Sequence, residues 1–210
     1  MISGWKNITF NLVLILLFAY SCMLMGEITW RYRNFELDAS FLQIKQTEIT
    51  EISWYKYAFY IHVIFAILAL PAGFTQFNKT ILKTFPDLHK TLGYLYVVVI
   101  LFFAAPSGFL IGMKANGGLV AQVAFTLLAV SWFYYTLQAV LKAKNGDFKA
   151  HKNFMIRSFA LTCSALTLRY WKVILVYFFQ PNPMDVYPLI AWLGWIPNLL
   201  IAEWIINQNK

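Results

Sequence analysis

Six stretches of the chain stay apolar for long enough to cross a hydrocarbon layer. A layer ~30 Å thick takes about 20 helical residues, and runs of that order lie near 8–26, 56–78, 90–112, 119–141, 153–178 and 188–206. The pattern predicts an all-α fold, a single membrane domain over 1–210 built as a six-helix transmembrane bundle. A longer polar segment, 27–55, separates the first two runs. Lys6 ahead of the first run resembles the start of a signal peptide. That run continues through FAYSCMLMG without a small-x-small cleavage site, so an uncleaved span is expected. GGL at 117–119 opens the fourth span, and Asp147 in the NGD turn is placed to cap the fifth. Pro71, Pro106 and Pro197 fall inside spans, where each removes a backbone hydrogen bond and invites a kink. The carbonyls so freed need protein partners, which turns those helices inward.

Composition agrees with the pattern. The chain is 60% hydrophobic and 12% charged, with a mean hydropathy of +0.60, whereas soluble domains carry about 25% charged residues. The net charge of +8 raises nucleic acid as a partner, but the basic residues are arranged as an orientation signal instead. Lys79, Lys83 and Lys90 flank one turn, and Lys142, Lys144, Lys149 and Lys152 flank another; with Lys6, Arg157 and Lys210 they fall on one side. Five of the nine acidic residues (Glu27, Glu36, Asp38, Glu48, Glu51) lie in the 27–55 loop. The positive-inside rule then puts both termini in the cytoplasm and the 27–55 and 179–187 loops outside, in a bacterial inner membrane. The lipid bilayer is the expected partner, nucleic acid is not, and a homo-oligomer or membrane partner stays open. Cys22 and Cys163 both lie in apolar runs, and without CxxC or HExxH no disulfide framework or separate metal-ion site is expected.

Helical spacing locates the inward faces. His151 and Arg169 are eighteen residues apart, about five turns at 3.6 residues each, so a continuous fifth helix carries both on one face with Ser158 and Thr162. The third helix aligns His89, Gly93, Tyr96, Ile100 and Ser107. The second aligns His62, Ala66, Ala69, Gly73 and Gln76, a small-residue seam that permits close approach. Depth separates the histidines. His89 and His151 open helices that enter from the lysine-rich side. His62 lies about 9 Å and Arg169 about 13 Å below the opposite surface, at 1.5 Å per residue.

Two clusters follow. The inner one joins His89 and His151 to a basic rim of Lys90, Lys152 and Arg157; the outer one joins His62, Ser107 and Arg169. The inner residues can be interfacial groups that bind lipid phosphate, axial haem ligands, or groups that handle protons or a quinone. Arg169 can be structurally paired or can bind substrate; an ionisable residue at that depth is a functional candidate by default. No acidic residue lies at its depth, so Ser107, carbonyls near Pro106, water or an anion entering from outside are its expected partners, with His62 accepting a hydrogen bond. Trp132, Trp192 and Trp195 read as packing residues. The catalytic residues are not legible.

PAGFTQF (71–77), HKTLGYLYV (89–97), SGFLIG (107–112), GGLVAQVAFTLLAVSW (117–132) and GDFKAHKNFMIRSFALTCSALTLRYW (146–171) occur in order. Together they resemble a bacterial membrane family catalogued as domain of unknown function 2306, over roughly residues 55–175. The resemblance implies signature positions at His62, His89, Gly93, Gly108, His151, Met155, Arg157 and Arg169, and brings no reaction. Lys90 and Lys152 stand where an arginine often follows each histidine, which keeps charge but loses the bidentate fork. A more distant similarity is to di-haem cytochromes b, which clamp haem between histidines of the third and fifth of six helices. Residues 119–141 offer no histidine opposite His62, so that similarity implies one haem here at most. The leading expectation is transmembrane electron or proton handling with a haem b or quinone near His89 and His151. The alternative is a non-redox transporter, lipid-binding or membrane-assembly protein using the basic rim and the Arg169 pocket.

Overall fold

In the computed structural model, which describes residues 2–182 and 185–208, the apolar runs fold as helices stacked side by side. Lys210 lies outside the described residues, as do the side chain of Lys6 and two positions of the predicted 179–187 loop, Pro183 and Met184. Helix α1 covers Ile2–Trp30. A 3-10 turn, Ser40–Lys45, and the short α2, Gln46–Glu51, follow. Helix α3 is Tyr55–Thr75, α4 is Lys79–Thr84, and the third span is α5, Pro86–Val98, a π-helical stretch Val99–Ala104, and α6, Ala105–Gly112. Helix α7 is Gly118–Lys144, α8 Phe148–Thr162, α9 Ser164–Phe179, α10 Tyr187–Leu193 and α11 Ile196–Gln208. Leu12–Trp30, Tyr55–Thr75, Pro86–Gly112, Gly118–Lys144 and Tyr187–Gln208 are each long and apolar enough to cross a membrane, and the bent pair α8–α9 counts as a sixth where it crosses as one span. The chain is an all-α, multi-pass membrane protein.

The expected turn chemistry is present. Gly117 opens α7 at φ +88°, a backbone shape that side chains disfavour. Asp147 caps α8 by accepting the Ala150 N–H at 3.1 Å. The core lies between α3, the third span, α7, α8 and α11, around Ala69, Tyr96, Ile100, Trp132, Met155 and Leu161. Helix α1 joins through Phe18, stacked on Phe74 at 4.4 Å. The C-terminal half of α9 leaves Tyr177, Phe178 and Phe179 exposed, as suits a helix bathed in lipid.

The continuous fifth helix is not what folds. The span bends by 40° at Cys163, between α8 and α9. No proline lies there. The hydroxyl of Thr162 bonds back to the carbonyl of Ser158 at 3.1 Å, and Thr167 Oγ1 lies 3.1 Å from that of Cys163; back-bonding of this kind bends helices. The bend interrupts the five-turn register drawn from His151 to Arg169, so the shared face does not run straight through. The sixth span breaks beside it, at Gly194 and Trp195 just before Pro197. Asn198 Nδ2 donates to the Ala160 carbonyl at 3.1 Å and to Thr167 Oγ1 at 2.9 Å, while Thr167 donates to the Gly194 carbonyl at 2.5 Å. The two breaks thus satisfy one another's backbone. Before Pro106 the third span widens into the π-helical stretch, whereas α3 runs unbroken through Pro71.

The 27–55 loop is built onto the bundle. Tyr32, Leu42, Ile49, Tyr55, Phe59 and Tyr60 form a second core at that end. Lys45 is 1% exposed, pairs with Glu48, and donates to the Lys114 carbonyl at 2.5 Å, tying the loop to the end of the third span. Tyr60 donates to the Glu36 carbonyl at 2.7 Å.

Candidate functional site

At the end of the bundle where the lysine-rich turns gather, α5 and α8 carry His89 and His151 in their first turns. The two imidazoles lie within electrostatic reach of each other. His151 Nδ1 meets the Ala139 carbonyl at 2.8 Å. A carbonyl only accepts, so Nδ1 carries the proton and Nε2 keeps its lone pair. His89 Nδ1 is buried without a hydrogen-bond partner among the described residues. The pair therefore has binding capacity that the protein does not consume. Lys90 and Lys152 are exposed beside it. Arg157 is differently placed: its Nε and Nη2 donate to Glu203 Oε1 and Oε2 at 2.5 and 2.8 Å. Its planar fork is thereby occupied, and Lys90 lies 3.8 Å from Asp87 Oδ1, a loose and largely exposed pair.

About two to three turns further along α5 and α8, a chain of hydroxyls joins these helices to α7. Thr136 Oγ1 and Ser158 Oγ lie 2.7 Å apart, and Tyr96 Oη lies 2.8 Å from both Ser158 Oγ and Thr162 Oγ1. Trp132 Nε1 donates to Thr162 Oγ1 at 3.0 Å. The chain ends on backbone carbonyls, Thr136 on Trp132 at 2.7 Å and Thr162 on Ser158 at 3.1 Å. All four hydroxyl protons find acceptors whichever way the chain points, so no buried polar atom in it is orphaned. Ser158, Thr162 and Tyr96 were on the inward faces that spacing identified. Thr136 and the indole N–H of Trp132 were missed, because no periodic signal marks a threonine in an otherwise apolar span. Thr162→Val keeps the side-chain shape but leaves the Trp132 N–H without its acceptor. A loss of roughly 1–2 kcal/mol is expected, and Thr162→Ser should retain most of it; unfolding in a denaturing detergent series measures both.

The outer cluster lies beneath the 27–55 loop. His62 Nδ1 donates to the Ala104 carbonyl at 2.9 Å, at the end of the π-helical stretch. The ring fits because position 108 is glycine: a Cβ there would stand 3.0 Å from His62 Cε1. Ser107 donates to the Phe103 carbonyl at 2.5 Å and lies 3.2 Å from that of Ala104. The carbonyls beside Pro106 are thus taken by Ser107 and His62, and not by Arg169 as expected from sequence. Arg169 Nη1 donates to the Ala165 carbonyl of its own helix at 2.5 Å. The guanidinium lies within electrostatic reach of His62, Tyr32 and Tyr187. His62, Ser107 and Arg169 each spend their printed hydrogen bonds on backbone carbonyls and not on one another.

A family model described as predicted membrane protein (DUF2306) matches residues 59–206, from the first turns of the second span through the end of the sixth. The chain belongs to this family. The match extends the likeness seen in the motifs through α10 and α11, so Asn198 and Glu203 lie inside it. No curated protein and no solved structure matches the chain. Among the described residues no group of three or more His, Cys, Asp or Glu could hold a metal ion.

Proposed function

We propose that this DUF2306 protein handles electrons or protons across a bacterial inner membrane, using His89 and His151 to hold a haem b or a quinone on the cytoplasmic side. The observation that carries the reading is the histidine pair itself: two imidazoles within electrostatic reach, one with Nε2 left as a lone-pair donor by its Nδ1–H···O=C bond, the other with a buried Nδ1 that nothing engages. Two neutral imidazoles on neighbouring spans suit axial ligation of a haem, and the same groups suit hydrogen bonds to a quinone. The donor set therefore fits either group. A bound haem or quinone would supply the redox couple; the chain's own residues supply position and proton acceptors. The Ala139 carbonyl keeps the His151 ring in one orientation, as outer partners commonly do for ligating histidines. About two turns further along α5 and α8, Tyr96 and Ser158 are buried and bonded to each other. Placing this end in the cytoplasm follows the charge pattern of its turns.

Absorption spectra of the purified protein, oxidised and dithionite-reduced, test the reading. A haem between these histidines gives a low-spin b-type Soret and α band, and His89→Ala or His151→Ala removes it or converts it to high spin. A colourless preparation from haem-sufficient cells that also yields no extractable quinone would overturn the proposal.

A further inference from the structure

Between the second and third spans the chain forms a helix that buries none of its residues. In the six residues of α4 no side chain is buried, and the apolar Leu82 and the following Phe85 stand 51% and 56% exposed. A helix this short is marginal in water. Its backbone is nevertheless fully engaged. Asn78 Oδ1 accepts the Thr80 and Ile81 N–H groups at 2.8 and 3.1 Å, and the Phe85 N–H closes on the Ile81 carbonyl at 2.9 Å.

The segment divides cleanly by face. Turning by about 100° per residue, Ile81, Leu82 and Phe85 fall within an arc of about 100°, and Lys79, Thr80, Lys83 and Thr84 take the opposite side. An apolar face of this kind normally turns to the protein core, yet this one is left outside the bundle, and Phe77 and Leu88 extend it on either side. Its place in the chain fixes the surface it meets. Joining the ends of two spans, α4 lies where hydrocarbon gives way to headgroups. Lys79 and Lys83 are exposed, and between residues 76 and 92 the one acid is Asp87. The neighbouring turn at this end adds exposed Lys144, Lys149 and Lys152, and Phe148 at 71% exposure. Apolar side chains beside a set of cations match the acyl chains and phosphates of an anionic lipid surface.

We propose that α4 is an in-plane anchor docked on an anionic phospholipid surface at the lysine-rich end of the bundle. Leu82 and Phe85 insert among the acyl chains, and Lys79 and Lys83 bind lipid phosphates. The His89 N–H donates to the Phe85 carbonyl at 3.1 Å, so the anchor also sets the depth at which α5 begins. The proposal holds whether or not His89 and His151 bind a cofactor.

The test is amide hydrogen exchange of residues 80–85 in the purified full-length protein, held in nanodiscs of phosphatidylglycerol or of phosphatidylcholine. Wild-type exchange is expected to be slower by about threefold or more in phosphatidylglycerol, and Lys79→Gln with Lys83→Gln removes that difference. Leu82→Ser with Phe85→Ser speeds exchange by about tenfold or more in both lipids. Amides in the middle of α3 and α5 keep their wild-type rates throughout, because α4 packs no core. A lipid difference that survives the loss of both lysines would overturn the headgroup contact, and wild-type rates in the double serine variant would overturn insertion. Where the serine variant fails to fold, the lysine pair decides alone. Protection seen in native membrane vesicles but in neither disc would give the face to a protein partner and overturn the proposal as well.

Discussion

Glu203→Ala is expected to destabilise the protein by about 2–3 kcal/mol, while replacing Arg157 and Glu203 together by methionine stays within about 1 kcal/mol of wild type. The pair links α8 to α11 through two parallel hydrogen bonds, from Arg157 Nε and Nη2 to both Glu203 oxygens. The Arg157 side chain is 20% exposed and that of Glu203 40%. Removing the carboxylate strands a guanidinium that stacks near Phe154 and Tyr135, 5.4 and 5.9 Å from their ring centres. A fully buried pair broken in this way costs about 3–5 kcal/mol, and the partial exposure of Glu203 lowers the figure. Removing both charges strands neither member of this pair, and methionine fills the volume. Thermal unfolding of the two variants in one detergent measures the difference. Equal losses would show that the side chains' packing, and not their charge, holds the helices.

This pair marks the limit of what linear sequence conveys. Arg157 was legible on the fifth span as part of the basic rim, but nothing in the spacing joins it to Glu203, forty-six residues away. The six spans were legible because each satisfies its own backbone and announces itself by length and hydropathy. So were the caps at Gly117 and Asp147, since turn chemistry is local. Tyr96, Ser158 and Thr162 were legible as faces, and they meet as those faces require. The bend at Cys163 was not. It depends on threonine back-bonds and on the neighbouring break at Gly194, a tertiary match between two spans. Tyr32 and Tyr187, within electrostatic reach of Arg169, were missed for a related reason: both sit at the ends of spans, in segments that carry no period to align.

Gly73→Ala is expected to cost about 2–3 kcal/mol, and Gly73→Val more, although alanine is the better helix former. A Cβ at position 73 would stand 2.6 Å from Phe159 Cδ2 and 2.6 Å from Tyr96 Cε2. Neither ring has room to yield. Tyr96 is fully buried, with its hydroxyl held at 2.8 Å by both Ser158 and Thr162. Phe159 packs against Phe18 and Phe77, with ring centres 6.2 and 5.2 Å away. Relief must come from moving α3 off α5 and α8, or from pulling Tyr96 out of the hydroxyl chain, and inserting a methyl into a packed core costs about 1–3 kcal/mol in any case. Gly26→Ala is the internal control: nothing lies within 4 Å of its Cβ, so the ordinary helix preference of up to ~1 kcal/mol in favour of alanine should show. If the clash at Gly73 is with Phe159, then Phe159→Leu should recover part of the loss, with a coupling of roughly 1 kcal/mol or more in the double-mutant cycle. Additive losses would mean that Tyr96 is the ring that gives way. In that case Gly73→Ala should also reduce the protection of the Trp132 indole N–H from solvent exchange, because its acceptor Thr162 belongs to the same chain.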